Sequence, residues 1–182
     1  MYHGERMNAR VKESLKKCGA LTYGDFLLSS GKRSSFYIDI KKASTDPEVL
    51  AVIAQEMSSM LLAESLRFDK IAGVVLGSIP LAVALSLETK VAHVMVRKEK
   101  KDHGTEKLVE GTLGKGERVL VVEDVITSAA SVADAITTLR KEGAVVEAVL
   151  AVVDRQEGGM ERLKDMNVRL LSLLTARDLL ED

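Results

Sequence analysis

The sequence predicts an α/β fold in which helices flank a parallel sheet. Several apolar runs are rich in β-branched residues and lack polar alternation, which indicates strands covered on both faces. Helical patterns alternate with these runs, as expected for crossover connections between parallel strands. The 182 residues contain no linker-like or repetitive segment, so we expect a single domain that spans residues 1–182.

The first third of the chain is predicted to hold two helices and a hairpin. Apolar positions recur on one face over residues 8–18, which favours a short helix. Residues 26–28 and 36–40 are typical of paired strands joined by a glycine-containing turn. A proline flanked by two acids begins a second helix at residues 46–48, and this helix is predicted to continue to Leu66.

The rest of the chain alternates strands and helices. Strands are predicted at residues 71–76, 91–96, 119–122, 148–153 and 168–174, and helices at 81–87 and 132–141. Ligands of parallel sheets bind at the carboxyl ends of the strands. The residues that follow these strands are therefore the first candidates for a functional site.

Composition excludes several classes of function. Lys and Arg number 26 against 27 Asp and Glu, and there are 3 Phe, 3 Tyr and no Trp, so we expect no nucleic-acid partner. The single cysteine excludes an internal disulfide, and the 3 widely spaced histidines offer no zinc cluster. No apolar stretch reaches the about 20 residues of a membrane span. We expect a cytoplasmic protein without a membrane partner.

The most informative segment is VLVVEDVITSAAS, residues 119–131. Its apolar strand is predicted to end in two carboxylates, Glu123 and Asp124, which can accept hydrogen bonds from a diol such as the hydroxyls of ribose. The small, hydroxyl-bearing loop that follows can bind a phosphate through backbone N–H groups at a helix start. The alternative is structural: the acids end a strand and Ser131 caps a helix. Spacing alone favours neither interpretation.

In its order of residue types, this segment resembles the phosphoribosyl pyrophosphate (PRPP) motif of type I phosphoribosyltransferases. The resemblance implies that PRPP is bound by Glu123, Asp124, Val125, Ile126, Thr127, Ser128, Ala129, Ala130 and Ser131. The chain departs from the family at residues 129–130, where at least one glycine is usual. A methyl group disfavours positive φ, so alanine fits this loop if its φ stays negative.

A second segment, RKEKKDHGTEKLVEG at residues 97–111, mixes five basic with four acidic residues. Its composition favours a solvated loop. However, it follows a predicted strand, contains Gly104 and is poor in apolar residues, so it is also a candidate mobile lid. A cationic lid suits a leaving group with several negative charges, because it neutralises charge as that charge develops.

This second segment resembles the catalytic loop of orotate phosphoribosyltransferases. The residues that match in order are Arg97, Lys98, Lys101, Asp102, His103, Gly104 and Thr105. The resemblance implies contact with the pyrophosphate of PRPP by four of them, Arg97, Lys98, Lys101 and His103. It also implies catalytic roles for Lys101, Asp102 and His103, of which Lys101 is the main one. In the family this loop reaches the neighbouring subunit's site, so a homodimer is implied.

The N-terminal segment agrees with this resemblance. Residues 26–46 resemble the family's substrate-covering segment, so residues 1–45 are expected to form a small hood. Two lysines of other members are missing: Ser29 stands where many have one, and the turn at residues 76–80 lacks another. The N–H groups of that turn are candidates to face pyrophosphate. The alternative is that the turn only connects a strand to a helix.

Arg155 matches the family's arginine on the orotate side of the sheet. A guanidinium can hold the orotate carboxylate through two parallel hydrogen bonds. The alternative for this residue is a surface ion pair with Asp154 or Glu157. Thr127 is expected to approach orotate as well as phosphate.

Together these resemblances imply an enzyme of pyrimidine synthesis. It would transfer the 5-phosphoribosyl group from PRPP to orotate, giving orotidine 5-phosphate and pyrophosphate, with Mg²⁺ held mainly by PRPP itself. Two alternatives stay open at this point: a PRPP-sensing regulator of the same fold that is not an enzyme, and a phosphoribosyltransferase for a purine base.

Overall fold

Helices cover both faces of a six-stranded sheet in the computed structural model, which describes residues 3–27, 33–97 and 107–180. In chain order the elements are α1 (His3–Lys17), β1 (Leu21–Leu27), β2 (Arg33–Ile38), α2 (Ile40–Ala43), α3 (Pro47–Ala63), β3 (Lys70–Val74), α4 (Ile79–Thr89), β4 (His93–Val96), β5 (Val109–Glu110), β6 (Arg118–Ile126), α5 (Ala130–Lys141), β7 (Val145–Asp154), α6 (Gly159–Asp165), β8 (Arg169–Thr175) and α7 (Ala176–Leu180). Within these described ranges, no helix is long and apolar enough to cross a membrane.

The sheet has the strand order β5-β4-β3-β6-β7-β8. All neighbours are parallel except the short β5, which runs antiparallel to β4 at the edge. This arrangement confirms the predicted α/β class and the parallel sheet. It also brings the carboxyl ends of β3, β6 and β7, three consecutive strands at the centre, to the same edge.

Strand β6 shows how one central strand serves two packing layers. Successive side chains of a strand point to opposite faces of the sheet. Leu120 and Val122 accordingly join the cluster formed with α1, α3 and α4, whereas Val121 joins the cluster formed with α5. Each fully buried aliphatic side chain contributes about 1.5–3 kcal/mol. Burial on both faces explains why this strand has no polar alternation in its first half.

The N-terminal hairpin forms a separate antiparallel sheet of β1 and β2. It packs on the main body through Phe36 and Ile38, which are buried in the same cluster as α1 and α3. Residues 36–40 were predicted to be strand, but the chain turns into α2 at Ile40. The reason is local: the Asp39 carboxylate accepts a hydrogen bond from the Lys42 N–H and caps this short helix. The predicted hairpin turn, with Ser29, lies outside the described residues.

Other boundaries also differ from the prediction. Helix α1 begins at His3, ahead of the predicted residue 8, and α3 ends at Ala63 rather than Leu66. The elements β5, α6 and α7 were not predicted, because two to seven residues are too few to establish a hydrophobic period. The start of α3 is as predicted: Asp46 accepts hydrogen bonds from the N–H groups of Glu48 and Val49.

Candidate active site

Three segments converge where β3, β6 and β7 end. They are the turn at residues 75–78, the loop at residues 127–129 and the segment that begins at Arg155. Parallel strands place their carboxyl ends on one side, and ligands bind there in sheets of this kind. Most of the described residues predicted to bind a ligand lie at this edge.

The acidic pair lies inside a strand, which corrects the predicted end of β6 at residue 122. The strand continues to Ile126 because β7 pairs with it past the acids, with Glu123 opposite Ala151 and Val125 opposite Val153. Consecutive strand residues face opposite sides of the sheet. Glu123 is therefore buried, while Asp124 is partly accessible and faces Lys41 of α2.

Glu123 is bound by the turn that follows β3. Its Oε1 lies 3.1 Å from the Oγ of Ser78, which is fully buried, and 3.1 Å from the Asp124 N–H nitrogen. The same Oγ accepts from the Val74 N–H at 3.0 Å and lies 2.8 Å from the Val74 carbonyl oxygen. Burial, and secondly the charge of Asp124, raise the pKa of Glu123 to about 8. Burial thus favours the protonated form of the Glu123 carboxyl.

A cavity of 160 Å³ opens between the acidic pair and this turn. Its lining residues are Lys41, Val74, Val75, Leu76, Gly77, Glu123, Asp124, Val125 and Ser131. A Cβ atom at Gly77 would collide with the Asp124 carboxylate. Glycine at this position therefore allows the turn to pass directly beside the acid, which shapes the cavity.

The loop between β6 and α5 encloses a second, smaller cavity of 90 Å³, lined by Glu123 and residues 125–132. Ala129 has a φ of +57°, in the left-handed region, so the condition of a negative φ is not met at this residue. Ala129 is also the N-cap of α5 and provides no side-chain cap. The alternative in which Ser131 caps the helix is wrong, because Ser131 lies within the first turn of α5.

The start of α5 fits an anion. The first N–H groups of a helix have no partner within the helix and carry partial positive charge. At α5 no side chain caps them, and the small cavity lies in front of them. Thr127, Ser128 and Ser131 are exposed around this cavity and add hydroxyl groups.

Arg97 follows β4 and forms an ion pair with Glu110 at 3.6 Å. Its N–H donates to the carbonyl of Leu108 at 2.8 Å, so the two ends of the predicted lid are adjacent. Arg97 also lines a cavity with Val74 and Ser131, two residues that line the cavity beside the acidic pair as well. Lys98, Lys101, Asp102 and His103 lie outside the described residues, and the lid stays a prediction.

Arg155 connects the end of β7 with the N-terminal hairpin. Its Nε donates to Glu157 at 2.9 Å, and its guanidinium lies over the Phe36 ring at 5.1 Å from the ring centre. The predicted alternative, an ion pair with a neighbouring acid, is thus present for Glu157. However, the Arg155 side chain is only 12% exposed, so this is not an ordinary surface pair. Asp154 is buried and accepts from the Gln156 N–H.

Two residues at the site were not identified from the sequence. Ser78 is one serine in a turn, and only the fold brings it to Glu123. Lys41 lies in the hood segment, and its Nζ is 3.6 Å from Asp124 Oδ2 although 83 positions separate them in the chain (124 minus 41). No local pattern marks either contact, because both depend on how distant segments pack.

The proton on Glu123 gives a pH-dependent contribution to stability. The folded-state pKa of about 8 lies above the ordinary 4.5, so this contribution is complete below the ordinary pKa and is lost as the pH rises through the folded value. We expect the free energy of unfolding of the wild type to fall relative to Glu123→Gln over this window, by up to about 1.4 kcal/mol per pH unit. Urea unfolding at a series of pH values measures the difference. Glu142→Gln, at an exposed position, is the control for the substitution itself. Parallel curves for wild type and Glu123→Gln would contradict a buried proton.

The chain is similar to known proteins over most of its length. The phosphoribosyl transferase domain family matches residues 45–173. The orotate phosphoribosyltransferase of Methanosarcina mazei is 48% identical over 177 residues, covering 97% of this chain and 94% of that protein. The crystal structure of orotate phosphoribosyltransferase from Aeropyrum pernix has a TM-score of 0.83 at 40% identity and covers 93% of this chain and 96% of that one.

A third similarity concerns a ligand complex. The structure of Mycobacterium tuberculosis orotate phosphoribosyltransferase with 5-phospho-α-D-ribosyl 1-diphosphate has a TM-score of 0.76 at 28% identity, covering 96% of this chain and 99% of that one. The domain match and the high identity over nearly the full length lead to one conclusion: this chain belongs to the orotate phosphoribosyltransferase family.

Proposed function

We propose that the chain transfers the 5-phosphoribosyl group of PRPP to orotate, giving orotidine 5-phosphate and pyrophosphate in pyrimidine nucleotide synthesis. The observation that carries this proposal is the strand-end site itself. A carboxyl pair, an uncapped helix start and a mostly buried arginine meet at one edge of the sheet. The chain that carries these groups is 48% identical to the orotate phosphoribosyltransferase of Methanosarcina mazei.

The acidic pair suits the hydroxyl groups of ribose. A protonated carboxyl can donate one hydrogen bond and accept others, whereas an ionised carboxylate only accepts. Glu123, with its pKa raised to about 8 by burial, and Asp124 therefore offer both kinds of partner. The 5-phosphate would bind at residues 127–131, where the N–H groups at the start of α5 face the smaller cavity.

Magnesium fits this arrangement as a companion of the substrate. Mg²⁺ commonly keeps several waters and binds through substrate phosphates. We therefore assign it to the oxygens of PRPP, where it neutralises part of the diphosphate charge.

The leaving diphosphate gains negative charge as its bond to the ribose breaks, and nearby cations stabilise that charge. We assign this role to Arg97, Lys98, Lys101 and His103 of the lid. Asp102 belongs to the same motif. Because the lid sequence matches one that serves a neighbouring subunit, we also propose a homodimer, with each single-domain subunit in the cytoplasm.

Orotate would bind at Arg155. The stacked position of its guanidinium over Phe36 fixes the direction of the fork, which suits a planar carboxylate. Neither the regulator nor the purine-base enzyme is favoured, since the relatives that cover nearly the whole chain are named orotate phosphoribosyltransferases.

The ultraviolet absorbance of orotate tests the proposed reaction. In the presence of PRPP and Mg²⁺ the absorbance should fall at a rate proportional to the amount of protein. Omitting PRPP should abolish the change. Consumption of adenine or hypoxanthine, with no consumption of orotate, would show that the acceptor is a purine base.

Lys101→Ala tests the lid. We expect turnover to fall by about 10²–10³, as is usual for removal of one donor to a developing charge. The fold should stay intact by circular dichroism. Lys107→Ala is the matched control, because Lys107 is an exposed lysine of the same segment outside the matched motif. Equal turnover in Lys101→Ala and Lys107→Ala would show that Lys101 has no catalytic role.

Arg155→Lys tests the orotate contact. The lysine keeps the positive charge but loses the planar fork and the stacking on Phe36. We expect KM for orotate to rise about tenfold or more while KM for PRPP changes little. Arg162→Lys, an exposed replacement on α6, is the control. A rise in KM for PRPP alone would show that Arg155 contacts PRPP and not orotate.

A further inference from the structure

Lys41 is placed at the edge of the larger cavity by the short helix α2. The Asp39 carboxylate caps this helix, and Ile40, which is 2% exposed, anchors it in the core. The next side chain, Lys41, extends towards β6, where its Nζ lies 3.6 Å from Asp124 Oδ2. The side chain is 67% exposed, so the ammonium group is free to move around this position.

Charge in the larger cavity is unbalanced without Lys41. The negative charge of the lining lies on the Asp124 carboxylate, since burial favours the protonated form of Glu123, and among its described residues Lys41 alone is basic. A diphosphate brings further negative charge, and like charges a few ångströms apart repel by about 1 kcal/mol or more even in water. A cation on that side therefore favours the entry of a diphosphate between the turn and Asp124.

The neighbouring lysine has a different position. The ammonium group of Lys42 donates to the carbonyl oxygen of Gly19 at 3.2 Å, and Lys42 does not line the cavity. Lys41 and Lys42 are thus adjacent in sequence, identical in type and both exposed, yet only one faces the site. The pair provides a matched comparison.

We propose that Lys41 binds the diphosphate of PRPP, moving from Asp124 to the substrate as the substrate enters. A lysine ammonium on a flexible stem has three donors and binds phosphate oxygens as a point charge. Its departure leaves the Asp124 carboxylate free to accept from a ribose hydroxyl. The inference rests on PRPP as the donor in the proposed function, and it does not depend on orotate as the acceptor.

The test is calorimetric titration of wild type, Lys41→Gln, Lys41→Arg and Lys42→Gln with three probes in Mg²⁺: PRPP, inorganic diphosphate and ribose 5-phosphate. We expect Lys41→Gln to weaken the binding of PRPP and of diphosphate about tenfold or more, because a hydrogen bond to a charged group is lost. Ribose 5-phosphate carries no diphosphate, so its affinity should not change. Lys41→Arg should retain most of the affinity, and Lys42→Gln should resemble wild type.

Three results would overturn the proposal. Lys41→Gln could bind PRPP like wild type, or it could lose affinity for ribose 5-phosphate equally, which would mean that Lys41 acts only through Asp124. Lys42→Gln could weaken the binding of PRPP as much as Lys41→Gln does, which would mean that the effect comes from the net charge of the surface and not from a contact of Lys41. The orotate assay separates the two proposals: PRPP binding that depends on Lys41, without orotate consumption, refutes the proposed acceptor and leaves the Lys41 contact supported.

Discussion

The burial of the Glu123 carboxyl constrains the rest of the site. A buried polar group without hydrogen bonds is costly, so the structure must supply partners for it. Ser78 provides one from the turn after β3, and the Asp124 N–H provides another. Because Ser78 is itself bound to both polar backbone groups of Val74, the turn is held against β6. The same attachment brings Gly77 beside Asp124 and forms the larger cavity.

The N-terminal hairpin contributes chemistry that the sheet lacks. The ends of β6 and β7 present acids, hydroxyls and a single arginine, whereas the hood adds the Phe36 ring and the Lys41 ammonium. Both contributions depend on the burial of Phe36, Ile38 and Ile40, which attach the hairpin and α2 to the main core. A small segment thus acquires a fixed position beside the strand ends and borders the candidate site on two sides.

The elements that could be predicted from the sequence are those whose signal is local. Continuous β-branched runs identified the strands, and the acid at residue 46 identified the start of α3. The length of β6 could not be predicted, because its acidic pair looks like a strand end and only pairing with β7 extends it. The roles of Ser78 and Lys41 depend on contacts between distant segments. The segment resemblance pointed to Glu123, Asp124 and Arg155 as candidate site residues. It did not point to the burial of the Glu123 carboxyl, the Phe36 ring beside Arg155 or the Lys41 ammonium beside Asp124.

Ala129 shows how an unpredicted element supports the loop at residues 127–129. A left-handed φ is unfavourable for alanine by about 1–2 kcal/mol, so neighbouring contacts must hold it. Its methyl group is buried in the cluster of α5 and α6. Gly159, at the start of α6, has no side chain that would strike Thr127 O or the Ile126 side chain, and the loop can approach α6 closely. Packing against α6 therefore offsets the backbone cost, and it aims the first N–H groups of α5 at the smaller cavity without a glycine in the loop.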